Sequence, residues 1–204
     1  VWVFLTGDVY LNSDVKFKDL SINSLKDLEV EATLYARNHT MYFTGIANEF
    51  GNSGVGINIE GPAATLVSDA LDRFRMGDLD ITIGTAYMDS RLVNQGGNFI
   101  CDTIEFSERI EKAEIALYSE KEMVFDVDKM VVNYDGWFNF FINWPIDSTL
   151  CRIGSLQTSE GEPADLRMYT TTGTVMLIPE TITVEEFGKL EYAIYYSDTS
   201  DYTK

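Results

Sequence analysis

The chain has very few of the residues on which most catalytic sites are built. Histidine occurs once, as His39, and cysteine occurs twice, as Cys101 and Cys151, among 204 residues. Serine and cysteine hydrolases need a base that titrates near neutral pH, and histidine is the usual one. A zinc site made of several histidines is excluded by count. Since no Gly-x-Ser-x-Gly segment occurs either, we predict that the protein is not an enzyme.

Basic side chains are also scarce, with 15 Lys and Arg against 33 Asp and Glu and a formal charge of −18. A surface of this sign repels phosphate groups, which argues against nucleic-acid binding through a basic patch and against adhesion to anionic membranes. No apolar run approaches the roughly 18 residues that a membrane-spanning helix needs, so we expect no membrane insertion. The acidic surface is expected to keep a strand-rich protein in solution.

The two cysteines form neither a disulfide framework nor a Cys-x-x-Cys metal site. Cys101 follows Phe99 and Ile100, and cysteine in such an apolar segment packs as a small apolar side chain. Two buried thiols are therefore favoured over one disulfide with Cys151. The glycine-rich segment 51–56 is followed neither by Lys-Ser or Lys-Thr nor by a helical pattern, so no cofactor is expected.

What the sequence does have is a series of short segments in which apolar and polar residues alternate. Leu28 to Arg37 is the clearest example, and a period of two is typical of a strand with one face in the core. Ten to twelve such segments occur, with no internal repeat and no linker. We therefore expect one domain over 1–204, an all-β, mainly antiparallel sandwich or barrel, with a loose polar tail over about 197–204. Asn38-His39 is predicted to be a hairpin turn, and 88–98 and 155–165 are predicted to be long loops.

One α-helix is predicted near residues 62–76, packed against the sheet. Pro62 suits the first turn of a helix, and Gly77 suits the position after its end. Apolar residues between them recur at steps of three and four, as in the apolar stripe of an amphipathic helix: Leu66, Val67, Ala70, Leu71 and Phe74.

Acidic pairs two residues apart give a weak signal for a metal site. Asp78 with Asp80, and Asp126 with Asp128, would each share one face of a strand because side chains two apart point the same way. Oxygen-rich clusters suit hard cations such as calcium, but the full Asp-x-Asp-x-Asp-Gly loop is absent. Solvated charges that discourage unwanted strand pairing explain both pairs better, so no metal is assigned.

Two apolar groups of residues are candidates for contact with a partner. Tyr134, Trp137 and Trp144 flank the apolar segment 138–142 and could stack on sugar rings or anchor an interface, although ordinary core packing is favoured. The start of the chain could add a strand to a neighbouring subunit, or it could pair within its own domain. It consists of Val1, Trp2, Val3, Phe4 and Leu5.

These patterns favour a non-enzymatic structural subunit of a larger assembly, such as a phage tail or capsid-type virion protein. Its partners would be copies of itself or other structural subunits, and its location would be the virion or the extracellular space. A carbohydrate- or ligand-binding β-sandwich module is the first alternative. A glycoside hydrolase that uses two carboxylates is the second, although 33 acidic residues always offer some suitable pair.

Overall fold

The computed structural model describes fourteen stretches of the chain: 2–5, 7–24, 32–50, 57–76, 80–94, 97–107, 114–118, 124–132, 136–143, 150–158, 164–171, 175–177, 181–184 and 190–197. Its side chains are described over 7–21, 32–48, 58–69, 73–76, 80–94, 97–107, 124–132 and 152–155. This part of the chain contains 18 strands and no helix. None of its segments is therefore a helix that could cross a membrane.

The strands in chain order are β1 (Trp2–Leu5), β2 (Val9–Tyr10), β3 (Val15–Lys18), β4 (Ser21–Ser24), β5 (Ala32–Tyr35), β6 (Thr40–Phe50), β7 (Ile57–Met76), β8 (Ile81–Met88), β9 (Arg91–Asn94), β10 (Phe99–Phe106), β11 (Glu114–Tyr118), β12 (Val124–Val132), β13 (Gly136–Asn143), β14 (Leu150–Thr158), β15 (Ala164–Thr171), β16 (Val175–Leu177), β17 (Thr181–Val184) and β18 (Leu190–Ser197).

Every pairing between described strands is parallel. The chain comes back beside itself in register: Val9 pairs with Leu34, Leu34 with Ile59, and Ile59 with Ile81. The result is a curled parallel sheet wound in successive coils, the arrangement of a parallel β-solenoid. The predicted antiparallel sandwich or barrel is wrong, because alternation shows which face of a strand is buried and not which strand lies beside it.

Three ladders of paired strands run along the coils. The first ladder contains Val9, Leu34, Ile59, Ile81, Phe99, Phe125, Cys151 and Met176 in one row. The second contains Val15, Met41, Leu66, Ala86, Ile104, Met130, Leu156 and Ile182. The third contains Trp2, Ser21, Glu49, Arg75, Val93, Ala116, Phe141, Tyr169 and Tyr195.

The number of residues in a coil varies, although the paired strands stay in register. Ile81 and Phe99 are 18 residues apart in sequence, whereas Phe99 and Phe125 are 26 apart, and both pairs are direct neighbours in the first ladder. A repeat of variable length leaves no fixed period in the sequence, which is why the repetition was not predicted.

The core lies between the ladders and is packed with aromatic and aliphatic side chains from consecutive coils. Phe43 is fully buried, with its ring centroid 5.3 Å from that of Phe17 in a stacked arrangement and 5.1 Å from that of Phe74 in an edge contact. Phe99 and Phe125 stack at 5.4 Å in the first ladder. Because neighbouring coils present the same position inward, like side chains stack on one another along the coil axis.

The predicted helix near 62–76 is wrong, because this segment belongs to β7. The buried residues of β7 follow a period of two over most of its length, at Ala64, Leu66 and Ser68 and again at Phe74 and Met76. Val67, which the helical stripe counts with the core, is partly exposed on the outer face of the strand. Pairing with β6 on one side and with β8 and β9 on the other outweighs the helical pattern.

The predicted long loops contain strands as well. β9 lies within 88–98, and β14 extends into 155–165. In β9 the polar Asn94 is buried together with Leu92 and Val93 faces outward, so a search for apolar residues on one face does not find this strand. Of the predicted tail, residues 198–204 lie outside the described residues.

Candidate functional site

The outer side of the second ladder carries two parallel columns of side chains. Met41, Leu66 and Ala86 are buried, so the residues on either side of them in each strand point outward. One column is a row of threonines in four consecutive coils, and the other consists of two tyrosines with a valine between them. We call these seven residues the Thr–Tyr face: Thr40, Thr65, Thr85, Thr103, Tyr42, Val67 and Tyr87.

The spacing of the Thr–Tyr face follows from the sheet. Adjacent strands lie about 4.8 Å apart, so Tyr42 and Tyr87, which are two strands apart, are separated by roughly 9.6 Å along the coil axis. Their side chains are 39% and 45% exposed. The threonine side chains are partly exposed, and none of their hydroxyl groups hydrogen-bonds to another described residue. The face therefore offers two aromatic rings and a row of free hydroxyl groups to the outside.

The Thr–Tyr face is electrically neutral on a chain with a formal charge of −18. Charged residues surround it: Asp69 is exposed two residues after Val67 in the same strand, and other charges lie where the two columns continue into further coils. Lys16 precedes Tyr42 and Glu105 follows Tyr87 in one column, while Lys129 follows Thr103 in the other. The seven residues of the face are thus uncharged, whereas carboxylates such as those of Asp14 and Asp69 lie at its edges.

The lone histidine lies beside the corner at which the second ladder begins. His39 Nδ1 is 3.7 Å from Asp14 Oδ1, and the same carboxylate oxygen accepts a hydrogen bond from the Thr40 N–H at 2.8 Å. The His39 N–H donates to the Ala36 carbonyl at 3.0 Å. The predicted turn is present, but it is not a hairpin, because it joins β5 of the first ladder to β6 of the second. Asp14 fixes the first coil to the second at the edge of the Thr–Tyr face.

A second set of acidic and amide side chains holds the corner before the first ladder. Asn58 Oδ1 accepts the Asp80 N–H at 3.1 Å, Asp80 Oδ1 accepts the Asn98 N–H at 2.8 Å, and Asn98 Oδ1 accepts the Val124 N–H at 2.8 Å. Asp80, a weak metal candidate in the sequence, is therefore one member of a column of hydrogen-bond acceptors that links coils. Its predicted partner Asp78 lies outside the described residues.

The other weak metal candidates surround a guanidinium group. Arg152 Nη1 donates to Asp126 Oδ1 at 2.5 Å and to Asp128 Oδ1 at 2.7 Å. These hydrogen bonds raise the pKa of Arg152 above its usual value. Within the described ranges, no group of three or more His, Cys, Asp and Glu residues could hold a metal ion. Sequence reasoning missed Arg152 because it lies 26 residues after Asp126, one coil away.

A stacked tyrosine pair lies on the outer side of the first ladder. The rings of Tyr10 and Tyr35 are 4.7 Å apart and 8° from parallel, and Arg37 Cζ is 5.4 Å from the Tyr10 centroid. The carboxylate of Asp8 is the main cause of a raised pKa at Tyr35, since it opposes the negative phenolate. The two rings face each other, so less aromatic surface is free here than on the Thr–Tyr face.

The cysteines lie too far apart to form a disulfide. Cys101 is a buried free thiol, 3% exposed, and its Sγ donates to the Thr103 carbonyl at 2.9 Å. Burial raises the pKa of this thiol to about 12. Cys101 pairs with Val127, which pairs with Ile153, so Cys151 is two coils and two residues away. Two strand spacings alone amount to roughly 9.6 Å, beyond the reach of about 7 Å between the Cα atoms of a disulfide.

The remaining predicted site residues are only partly described. Trp2–Leu5 form β1, which pairs in parallel with Ser21–Ser24 of the same chain, and Val1 lies outside the described residues. Trp137 lies in β13 opposite Asp165, and its side chain is outside the described set. Tyr134 and Trp144 also lie outside the described residues. The structure thus gives β1 a partner strand, and the arrangement of the three aromatic side chains lies outside the described residues.

The Thr–Tyr face was missed although its signal is present in the sequence. Three triplets share one pattern, a threonine, a buried apolar residue and an exposed apolar or aromatic residue: Thr40-Met41-Tyr42, Thr65-Leu66-Val67 and Thr85-Ala86-Tyr87. Read singly, each is an ordinary strand segment. Only the parallel register places them side by side.

Within the described residues, fold and face together define a parallel β-solenoid in which seven uncharged side chains are aligned on one outer side. Comparison with protein-family models, with curated proteins and with solved structures finds no match for this chain. Its own residues and geometry are therefore the basis for proposing a function.

Proposed function

We propose that the chain is a non-enzymatic structural module, a rod-like part of a larger assembly such as a virion tail or another extracellular appendage. Its partners in that assembly would be copies of itself or other structural subunits. The observation that carries the proposal is the parallel pairing of the described strands, in which the same positions recur coil after coil. The eight strands of the first ladder extend over roughly 34 Å along the coil axis.

The way in which the coils are joined supports a load-bearing role. Side chains such as Asp80 and Asn98 bind the backbone of the next coil, so neighbouring coils are linked by side-chain as well as ladder hydrogen bonds. In a solenoid each coil contacts only its neighbours, and stiffness along the axis comes from such nearest-neighbour contacts. A stack of this kind resists bending and separation without a globular core.

The chemistry of the described residues supports contact more than catalysis. The side chain of His39 approaches Asp14, and no serine or cysteine among the described residues hydrogen-bonds to it. Cys101 is buried, and its raised pKa keeps it as the unreactive thiol at neutral pH. Neither residue is placed as a nucleophile–base pair would require.

The test is the state of assembly of the purified 204-residue protein. Multi-angle light scattering over a wide concentration range, with negative-stain microscopy of the same samples, should reveal oligomers that form rods, rings or tubes. A particle that stays monomeric at the highest concentration, and also in the presence of the other proteins of its source assembly, would count against the proposal. A glycoside panel run in parallel tests the carboxylate-enzyme alternative, which turnover of any substrate would favour.

A further inference from the structure

We infer that the Thr–Tyr face binds a neutral, linear polysaccharide that lies along the coil axis. This inference goes beyond a structural role, because it assigns a ligand to one side of the rod. It starts from a combination of exposed aromatic rings, free hydroxyl groups and the absence of charge among the seven residues of the face. Tyr42 and Tyr87 are both partly exposed, and Val67 lies between them in the same column.

The chemistry of the two columns is complementary to that of a sugar chain. A pyranose ring has C–H groups on its faces, which pack against aromatic rings, and hydroxyl groups around its rim. Each threonine hydroxyl can donate one hydrogen bond and accept two, as a sugar hydroxyl can. With Thr65 beside Val67 and Thr85 beside Tyr87, three of the four coils pair an apolar contact with a hydrogen-bonding group two residues away.

The spacing also favours an extended polymer over a single sugar. The threonines repeat at every coil, about 4.8 Å apart, while the tyrosine rings repeat at every second coil, roughly 9.6 Å apart. In a linear glycan with an alternating twist, every second ring presents the same face. Such a chain could place two equivalent rings on Tyr42 and Tyr87 and its intervening ring over Val67.

Charge and hydrogen bonding distinguish this ligand from other occupants. A chain with a formal charge of −18 repels an anionic polymer. A cationic polymer would be attracted to the carboxylates at the edges of the face and elsewhere on the surface, whereas the seven residues of the face carry no charge to bind it. A flat protein partner would bury the four threonine hydroxyl groups, which costs free energy unless each finds a partner. Sugar hydroxyl groups supply such partners at every coil.

The experiment is a depletion-binding assay with insoluble cellulose, a neutral β-linked glucan, alongside xylan and mannan. Polygalacturonate in the same buffer is the anionic comparison. We expect retention on at least one neutral polymer and none on polygalacturonate. Tyr42→Ala and Tyr87→Ala should each weaken retention about 2- to 10-fold. Tyr10→Ala is the matched control, since Tyr10 is 52% exposed on the first ladder and outside the face.

Circular dichroism and thermal melting of each variant show whether a loss of retention reflects unfolding. Thr85→Val, which keeps the shape and removes the hydroxyl, should weaken binding in a protein that still folds. Failure of the wild type to bind any neutral polymer would overturn the inference, and so would equal retention of wild type and of both tyrosine variants. It would also be overturned if Tyr87→Ala abolished self-association measured by light scattering while glycan retention was unchanged, because the face would then be a protein interface.

Discussion

The side-chain oxygen of Asn98 accepts the backbone N–H of Val124, one coil further along the chain, at a distance of 2.8 Å. The backbone N–H of Asn98 in turn donates to the carboxylate of Asp80 in the preceding coil. One residue thus connects three coils at the corner before the first ladder. A backbone N–H at such a corner needs an acceptor, and the short Asx side chains provide it.

Asn98→Ala should therefore destabilise the protein by about 1–3 kcal/mol, because the Val124 N–H loses its acceptor in a partly buried position. Asn98→Asp keeps an oxygen at that position and should cost less. Urea unfolding followed by circular dichroism measures both changes in the free energy of unfolding. Equal losses for the two variants would show that the hydrogen bond to Val124 is not what the asparagine contributes.

Gly84→Ala should also destabilise the protein, by about 1–3 kcal/mol, through crowding at a corner. A Cβ atom at position 84 would lie 2.6 Å from the carbonyl oxygen of Pro62, and backbone cannot move aside as a flexible side chain could. Gly7→Ala is the matched control, since no atom lies within 4 Å of the added Cβ. Thermal unfolding should show a lower Tm for the first variant only, and similar Tm values would refute the crowding.

Phe43→Ala should be among the most damaging single changes, with a loss of about 3–5 kcal/mol. The ring is fully buried between those of Phe17 and Phe74, so its removal leaves a cavity that spans two coils. Ile46→Ala removes apolar atoms from a side chain that is 64% exposed and should change stability by about 0.5 kcal/mol or less. Chemical denaturation of both variants shows whether the loss of stability depends on the burial of the side chain or only on its apolar character.

Alkaline pH should weaken the fold partly through Cys101. Burial raises the pKa of this thiol from an ordinary value of 9.0 to about 12, so the native state holds its proton more tightly than the unfolded state does. The stability that follows is complete below about pH 9 and is lost as the pH rises toward 12. Free energies of unfolding measured from pH 8 to pH 11 should fall more steeply for the wild type than for Cys101→Ala. Parallel curves would mean that this thiol ionises equally in both states.

Deletion of Val1 to Leu5 should weaken oligomerisation while the rest of the chain stays folded. Trp2–Leu5 pair with Ser21–Ser24, so the deletion removes one strand of the third ladder and leaves the first and second ladders complete. Light scattering measures the oligomer, and circular dichroism measures the fold. Loss of the β-sheet signal would show instead that β1 is essential to its own sheet and not to assembly.

Sequence reasoning predicts strands and their buried faces well where alternation is regular. Ala32, Leu34 and Ala36 were expected to point inward, and all three are buried, whereas Thr33 and Tyr35 are partly exposed. The partners of these strands could not be predicted. Alternation depends on one strand and its two faces, while parallel winding depends on residues about 25 positions away.

The roles of the acidic residues could not be predicted for the same reason. Asp126 and Asp128 were interpreted as a weak cation site because their nearest charge in space, Arg152, is distant in sequence. Asp80 was placed in another such pair, although its carboxylate serves the backbone of the next coil. An excess of acidic residues therefore partly reflects structural acceptors at corners, which a count of charges cannot distinguish from ligands.

The unequal coils have a consequence for how this chain can change. The step from Ile81 to Phe99 is eight residues shorter than the step from Phe99 to Phe125, yet all three residues stay in one row. The difference lies in the connecting segments. The paired strands keep their register, while the segments between them can differ in length. A chain built in this way can gain or lose whole coils, or accept insertions in the connecting segments, while the remaining strands keep their pairing.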